Sequence, residues 1–510
     1  MIVGSGAGGA ASAWKLAQAG LKVCVIEQGP RLSAADSPAN APFGLLERYR
    51  NLSPLASVRR SQDDLQVDAS SAEVEVSFFQ AVGGSTHLYS GHFPRFRERD
   101  FSLYTNFGLG VDWPLQYSKL KRYYEFNEAK MLVAGRPGDP KYPEITNLQG
   151  ISPIGAFEQR LSDSFDELGW HLWPSYTAVD RRQYSSSKCT DLGPCNLGCP
   201  VGAKSTAANR YLEEFELLGG KVFSQTAAIK VVHKNSQASG VTVRDSLGGE
   251  RTISAALVII AAGAVGTPGL LINSGLSEDL PHLGRNLMLH PLALAEGVFL
   301  EEFDALVGPE GSWLYSLEFE FDEAQKEPGF MMQLLRGGDL LDHARRAFQM
   351  RKVEFGTEFG PSISEEFKKR LSIALVFEDL PEFHNRVTLD SSKSNSFGFP
   401  GVKIEYKVDP GIKRRMPQAL DKARKVLSIA GAVRTRGFGP VRGTGWHPSG
   451  TARMGLTEKD SVCTGGGRLH TMSNVYVADS SLFPTGSCVN PANTIQSLSL
   501  LIADLIISGR

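Results

Sequence analysis

Apolar residues form short, nearly continuous runs at the two ends of the chain and alternate with polar residues through its middle. Ile2-Val3 lead into Gly4-Ser5-Gly6-Ala7-Gly8-Gly9, and Ala10–Gly20 carries a helical pattern that Gly20 stops. Leu21–Glu27 (Leu-Lys-Val-Cys-Val-Ile-Glu) reads as a buried parallel strand ending in an acid. Proline, serine and aspartate gather from Pro30 to Pro42, where the chain is expected to leave the sheet. Ser118–Val133 predicts a surface helix rich in Tyr, Lys and Glu. Val222–Val232, Gly240–Arg244 and Thr252–Ile253 predict short strands, with a Gly248-Gly249 turn before the last, and Leu257–Ala262 a strongly apolar strand broken by Gly263. From about Glu296 to Gly439 the pattern changes to polar alternations (Ser316–Phe321, Arg386–Leu389, Val402–Tyr406) and charged helices (Leu340–Lys352, Ser364–Leu371). This is the signature of a mixed antiparallel sheet rather than a βαβ repeat. The C-terminal portion returns to glycine loops and a buried strand, Val475–Ala478, followed by a helix. One domain is therefore expected to be assembled from separated pieces, with a second inserted between them.

Composition narrows the class. At 510 residues the chain exceeds one ordinary core, so two substantial domains are expected. With 42% hydrophobic and 21% charged residues it reads as an ordinary globular protein. A net charge of -1 and no long basic run argue against a nucleic-acid partner. No apolar stretch reaches the roughly 18 residues of a membrane span. Six cysteines make no disulfide framework, and without a signal-peptide pattern a cytoplasmic location is expected. The first strand has only about three residues against a typical ~5–6, which leaves open a start upstream of Met1.

The glycine loop brings in chemistry. Gly4-x-Gly6-x-x-Gly9 lies between a predicted strand and helix, and Glu27 ends the next strand about twenty residues on, the context a dinucleotide fingerprint requires. Gly4 permits the tight turn, Gly6 lets the backbone approach a pyrophosphate, and Gly9 lets helix and strand pack closely. The pyrophosphate then meets unpaired N–H groups at the positive end of the helix. Glu27 is placed to accept from both ribose hydroxyls. The loop alone does not separate FAD from NAD.

Further segments do. Val82-Gly83-Gly84-Ser85-Thr86 with Ser90-Gly91, and Ala262-Gly263-Ala264-Val265-Gly266-Thr267-Pro268 with Leu270-Leu271 and Ser274-Gly275, resemble the two signatures of the glucose–methanol–choline (GMC) oxidoreductases. Leu283-Gly284-Arg285-Asn286 with His290-Pro291 resembles another stretch of that family, and His447–Gly455 (His-Pro-Ser-Gly-Thr-Ala-Arg-Met-Gly) its active-site loop. Val475–Asp479, Pro484-Thr485 and Asn490-Pro491-Ala492-Asn493-Thr494 are similar to its C-terminal flavin segment. Order and spacing match at both ends of the chain, while residues 300 to 440 carry little resemblance. The resemblance implies an α/β plus α+β fold: a doubly wound, Rossmann-like FAD-binding domain from discontinuous segments (1–35, 78–100, 190–295 and 441–510), and an antiparallel-sheet substrate domain (36–77, 101–189 and 296–440). It implies FAD as cofactor, held by Gly4, Gly6, Gly9, Glu27, Gly83, Gly84, Ser85, Ile229, Ala262, Gly263, Asp479, Asn493 and Thr494. In that reading Ser85 reaches the flavin's polar edge, Ala262-Gly263 wall the adenine side and Asp479 accepts from ribityl hydroxyls. Asn493 and Thr494 aim backbone N–H groups at the pyrimidine end, where reduction places negative charge.

Alcohol oxidation needs the hydroxyl proton removed as hydride leaves the same carbon. His447, in a loop of Trp, Pro, Ser and Gly, suits the proton step because its ordinary pKa of about 6.5 lies near working pH. Asn490 stands where the family carries His or Asn, and its amide can donate to the substrate oxygen. The expected substrate is a small alcohol, by preference a sugar, aminoglycoside or related polyol, with O2 or another electron acceptor. A quinone- or cytochrome-linked dehydrogenase, a flavin lyase or isomerase, and a non-catalytic FAD-binding subunit are the alternatives. In the pyranose oxidase branch a histidine after a similar glycine pair is bonded to the flavin. Here His87 falls one place early and Leu88 takes the equivalent site, so non-covalent FAD is expected. Cys189-x5-Cys195-x3-Cys199 lacks paired CxxC spacing and reads as a packed turn, with no metal expected.

Overall fold

Five short strands dominated by Val and Ile pair in parallel, in the order Val475–Val477, Val258–Ile260, Ile2–Val3, Cys24–Ile26, Lys221–Phe223. Their central members are buried, as strands covered on both faces must be, which is why they read as apolar runs and not as alternations. In this computed structural model, residues 1–32, 53–151, 156–191, 195–303, 314–335 and 366–509 are described. Most of Pro30–Pro42, the helix predicted at Leu340–Lys352 and the start of Ser364–Leu371 fall outside the described residues.

Helix Ala7–Gln18 follows the first strand and packs against the C-terminal helix Ala492–Ile507. Small side chains allow the close approach: Ala10, Ala11 and Ala13 are fully buried, and a Cβ on Gly8 would lie 1.8 Å from the carbonyl oxygen of Ala478. Helix Tyr117–Lys130 lies against the same C-terminal helix. It is not purely a surface helix, because Tyr124, Asn127 and Glu128 are buried.

The substrate side is a six-stranded antiparallel sheet in the order Arg434–Phe438, Leu292–Val298, Arg370–Phe377, Phe330–Leu335, Leu314–Ser316, Trp173–Pro174. Helix Pro410–Ile429 covers it, capped by Asp409, whose side chain accepts from Ile412 N. Two smaller sheets, Thr226–Lys234 with Gln237–Asp245 and Glu250–Ser254, and Val67–Ala72 with Arg386–Ser394 and Pro400–Tyr406, flank the core. The fold is thus the expected combination of a Rossmann-like domain built from distant segments and an antiparallel-sheet domain.

Several predicted elements change at their edges. Val222–Val232 is two strands, Lys221–Phe223 and Thr226–Lys234, parted where Gln225 takes a positive φ of 49°. The described part of Ser364–Leu371 makes one helical turn and then enters strand Arg370–Phe377, because Leu371 and Ile373 are drawn into the core. Ser316–Phe321 divides between the strand Leu314–Ser316 and the hairpin of Phe321–Asp322 with Glu327–Pro328.

Candidate active site

The carboxyl ends of the parallel strands converge, as they must at the ligand edge of a doubly wound sheet. Gly4–Gly6 follow the first strand, Glu27 the second, Ala262-Gly263 the fourth in chain order and Asp479 the last. Gly4 (φ 95°) crosses the neighbouring strand so closely that a Cβ would lie 2.3 Å from the oxygen of Ala261. Gly84 (φ 59°) brings the second glycine cluster onto the first loop, where its Cβ would lie 2.8 Å from the Cα of Gly6. Helix Ala7–Gln18 starts at Gly6 with no side-chain cap, so its first N–H groups remain available to an anion. A cradle of bare backbone at a helix N-terminus fits the pyrophosphate of FAD.

Glu27 ties the two glycine loops together. Its Oε2 accepts from the backbone N (2.9 Å) and Oγ (2.6 Å) of Ser5, its Oε1 accepts from Gly29 N (2.8 Å), and Ser5 Oγ accepts from Gly83 N (3.0 Å). Burial pushes the Glu27 carboxyl above its ordinary range, opposed by these hydrogen bonds. Asp479 is more completely engaged than expected. One oxygen accepts from Gly263 N and Thr267 Oγ1, the other from Ser481 N and Ser481 Oγ. Four donors meet the carboxylate, which thereby fixes the Gly263 and Ser481 turns. Ala262 N donates to Thr267 Oγ1 in the same turn.

Ser85 is exposed and its Oγ accepts from Phe79 N. Ile229 sits at the bulge of its strand, between Ala228 and Lys230, and its carbonyl accepts from Asn273 Nδ2 at 2.8 Å. The C-terminal helix begins after Pro491 with no side-chain cap. The side chains of Asn493 and Thr494 turn into the protein: Asn493 Oδ1 accepts from Asn127 Nδ2 (2.8 Å), its Nδ2 donates to Glu128 (3.1 Å), and Thr494 Oγ1 meets Tyr124 OH (2.9 Å). Gln496, one turn inward, is fully buried with neither amide atom hydrogen-bonded, and nothing in the sequence marked it. His87 Nε2 bonds back to Val82 O at 2.6 Å.

Across from these loops lies a polar cluster. The segment around Met288 and the loop around Ser449 clasp each other, Met288 N to Ser449 O and Ser449 N to Met288 O at 3.0 Å each. The clasp sets His290 beside His447, with their Nδ1 atoms 3.1 Å apart and their rings edge to face at 74°. His290 holds a positive φ of 53°, a conformation that costs a non-glycine residue roughly 1–3 kcal/mol. On the other side of the His447 ring, Nε2 lies 3.2 Å from Asn490 Nδ2. Asn490 and His447 are therefore brought together as expected.

The network assigns the tautomer. An Asn490 amide N–H donating to His447 Nε2 leaves the proton of His447 on Nδ1, directed at Nδ1 of His290. Burial, then the neighbouring His290 and His92, holds His447 well below the ordinary histidine range. Burial also pulls His290 and His92 down to about 4 each. All three rings are neutral at neutral pH, and Nε2 of His447 is the basic atom open to a proton. Sequence reasoning did not single out His92, and it used His290 only as part of a motif; chain proximity gives no hint of a contact spanning 157 positions.

The cysteine segment makes a short turn at Cys195–Leu197. Buried Lys204 pins it to the second glycine cluster, donating to the carbonyls of His87 (2.6 Å), Tyr89 (2.8 Å) and Cys195. Among the described residues no cluster of His, Cys, Asp or Glu has the makings of a metal site.

Comparison with known proteins bears on this arrangement. Two models described as GMC oxidoreductase match residues 155–292 and 381–499, and a NAD(P)-binding Rossmann-like domain model matches residues 2–46. The chain is 31% identical to the 2-methyl-1,2-propanediol dehydrogenase of Mycolicibacterium austroafricanum, covering 99% of this chain and 94% of that one. It is 27% identical to the paromamine 6'-oxidase of Streptomyces fradiae, covering 99% and 90%. Among solved structures it resembles pyridoxine 4-oxidase from Mesorbium loti, with a TM-score of 0.68 at 15% identity, covering 99% and 98%.

Proposed function

The chain belongs to the GMC oxidoreductases, FAD-dependent enzymes acting on CH–OH groups, and from that premise we propose that it oxidises a small polyol or sugar-like alcohol with His447 as the proton acceptor. The observation that carries this reading is the His447 ring held between Asn490 at Nε2 and His290 at Nδ1. When bound, FAD supplies the acceptor for the hydride.

The residues divide the rest of the work. The substrate hydroxyl takes the position at Nε2 that the Asn490 amide now addresses, and its proton passes to Nε2. Asn490 then donates to the oxygen as it gains alkoxide character. The imidazolium that forms keeps its Nδ1–H on His290, so His290 is a positioning residue that fixes tautomer and ring plane. FAD is held non-covalently by the cradle around Gly6 and Gly84 with Glu27; the return of His87 Nε2 to its own loop supports this. The C-terminal helix start at Asn493 and Thr494 serves the pyrimidine end. Segments 1–35, 78–100, 190–295 and 441–510 form the FAD domain in this scheme, and the remainder forms the substrate domain.

The names of the two relatives, a dehydrogenase of a diol and an oxidase of an aminoglycoside, support a polyhydroxylated substrate. The test is anaerobic: the purified yellow protein is mixed with a panel of diols, sugars and simple alcohols while its visible absorbance is followed. Bleaching by a polyol is expected, with the chromophore released on acid precipitation. A panel that leaves the spectrum unchanged would contradict the proposal.

A further inference from the structure

Beside the reacting pair lie polar groups that the proton transfer does not use. His92 is 1% exposed, and neither ring nitrogen makes a hydrogen bond of proper geometry, although the amides of Asn490 and Gln333 stand beside the ring. Its backbone bridges antiparallel to Thr177. Residues directly opposite in an antiparallel pair project to the same face, with Cβ atoms about 4.5–5.5 Å apart. The side chains of Thr177 and His92 therefore stand side by side on one face. The Thr177 hydroxyl is likewise buried without a partner, and so is Oδ1 of Asn490.

Buried polar atoms are nearly always satisfied, so three neighbouring exceptions call for an occupant. What the occupant must offer follows from the inventory. His92 and Thr177 can each donate and accept, while Asn490 Oδ1 only accepts. None of these groups, nor Gln333, carries a charge at neutral pH. Burying an unpaired carboxylate or ammonium against four uncharged groups is costly. A neutral hydroxyl both donates and accepts, and it matches the set.

We infer that His92 and Thr177 form a second recognition pole that binds the hydroxyl next to the reacting carbinol, making the enzyme selective for neutral vicinal diols over mono-alcohols and amino alcohols. This rests on the reading of His447 and Asn490 as the reacting site, because Asn490 is the residue shared by the two poles. His92 and Thr177 are specificity residues; the proton still passes to His447.

The experiment measures anaerobic flavin reduction in the holoenzyme with three probes that share a primary carbinol and differ only at the next carbon: 1,2-propanediol, 1-propanol and 2-amino-1-propanol. The wild type is expected to favour the diol over both others by about 10²-fold or more in reduction rate over Kd, since a site built around a hydroxyl rejects analogues lacking it. His92→Phe and Thr177→Val should each lower that ratio by ~10-fold or more, mainly through Kd. His92→Gln, which keeps a donor and an acceptor, should retain more of it. Thr177→Val is nearly isosteric, so the comparison stands even if His92→Phe folds poorly. A diol ratio unchanged in Thr177→Val, or a preference for the amino alcohol, overturns the inference alone. No reduction by any alcohol overturns the underlying reading and the inference with it.

Discussion

At the residue scale, the account concerns how few atoms do the chemistry and how many hold them. Asn490 acts through one amide that reaches His447 Nε2 at 3.2 Å. Asn490→Ala should therefore slow flavin reduction by ~10²–10³-fold, the range for losing an oxyanion-type donor, while leaving the flavin spectrum in place. Stopped-flow traces with near-normal rates would remove it from the reaction. Glu27 does a different job, accepting from Ser5 and Gly29 and, through Ser5, holding Gly83. Glu27→Ala should lower the FAD retained through gel filtration, each lost bond to the charged group being worth ~1.5–3 kcal/mol. Full retention would separate Glu27 from the cofactor. The glycine positions were legible because their reason is steric and local: only glycine tolerates φ near 95° at Gly4 or the contact at Gly84. His92 and Thr177 were not legible, because what matters about them is an unmet hydrogen bond beside a partner from a distant segment.

At the element scale, helix Tyr117–Lys130 shows where composition misleads. Its Tyr, Lys and Glu suggested a surface helix, but Glu128 is buried in a bidentate pair with Arg95 (2.6 and 2.5 Å) and also accepts from Asn493. The pair anchors the start of the C-terminal helix, and its desolvation is offset only while both partners are present. Glu128→Leu should destabilise the protein by roughly 3–5 kcal/mol, because the Arg95 guanidinium is left buried and unpaired. Arg95→Met with Glu128→Leu should recover much of that loss in urea unfolding. Equal stability of single and double variants would show that the pair has no such coupling. The break between Lys221–Phe223 and Thr226–Lys234 was equally hidden, since Gln225 takes its left-handed turn without a glycine or proline to announce it. The apolar strands and the final helix were read correctly because periodicity and burial there agree.

At the scale of the whole molecule, the site couples stability to pH. His92 and His290 have folded values of about 4 against an ordinary 6.5, so the unfolded chain binds protons first as pH falls. Their contribution is present above about pH 6.5 and is lost as pH falls towards 4, roughly 3 kcal/mol per ring. Glu378 and Asp379 oppose this: burial lifts both to about 7, so the unfolded chain releases their protons first and their contribution is lost as pH rises through 7. The two sets act with opposite signs in the wild type, so the informative quantity is a difference. His92→Gln should gain stability relative to wild type as pH is lowered from 6.5 to 4, read as a growing gap in thermal midpoint. A gap constant over that range would mean that His92 is protonated in the fold. The discontinuous assembly of the parallel sheet was legible in outline, because its segments keep their apolar runs across some two hundred intervening residues.

The central claim is that His447 accepts the substrate proton, and it is tested most directly by rapid-mixing measurement of anaerobic flavin reduction in His447→Ala. That step isolates hydride removal from the later transfer to an acceptor. The account predicts an intact flavin spectrum and a reduction rate lower by ~10²–10⁴-fold, the usual range for losing a positioned general base. Raising the pH should partly restore the rate, because pre-formed alkoxide no longer needs the imidazole. Reduction at a near-normal rate, with bound flavin unchanged, would contradict it.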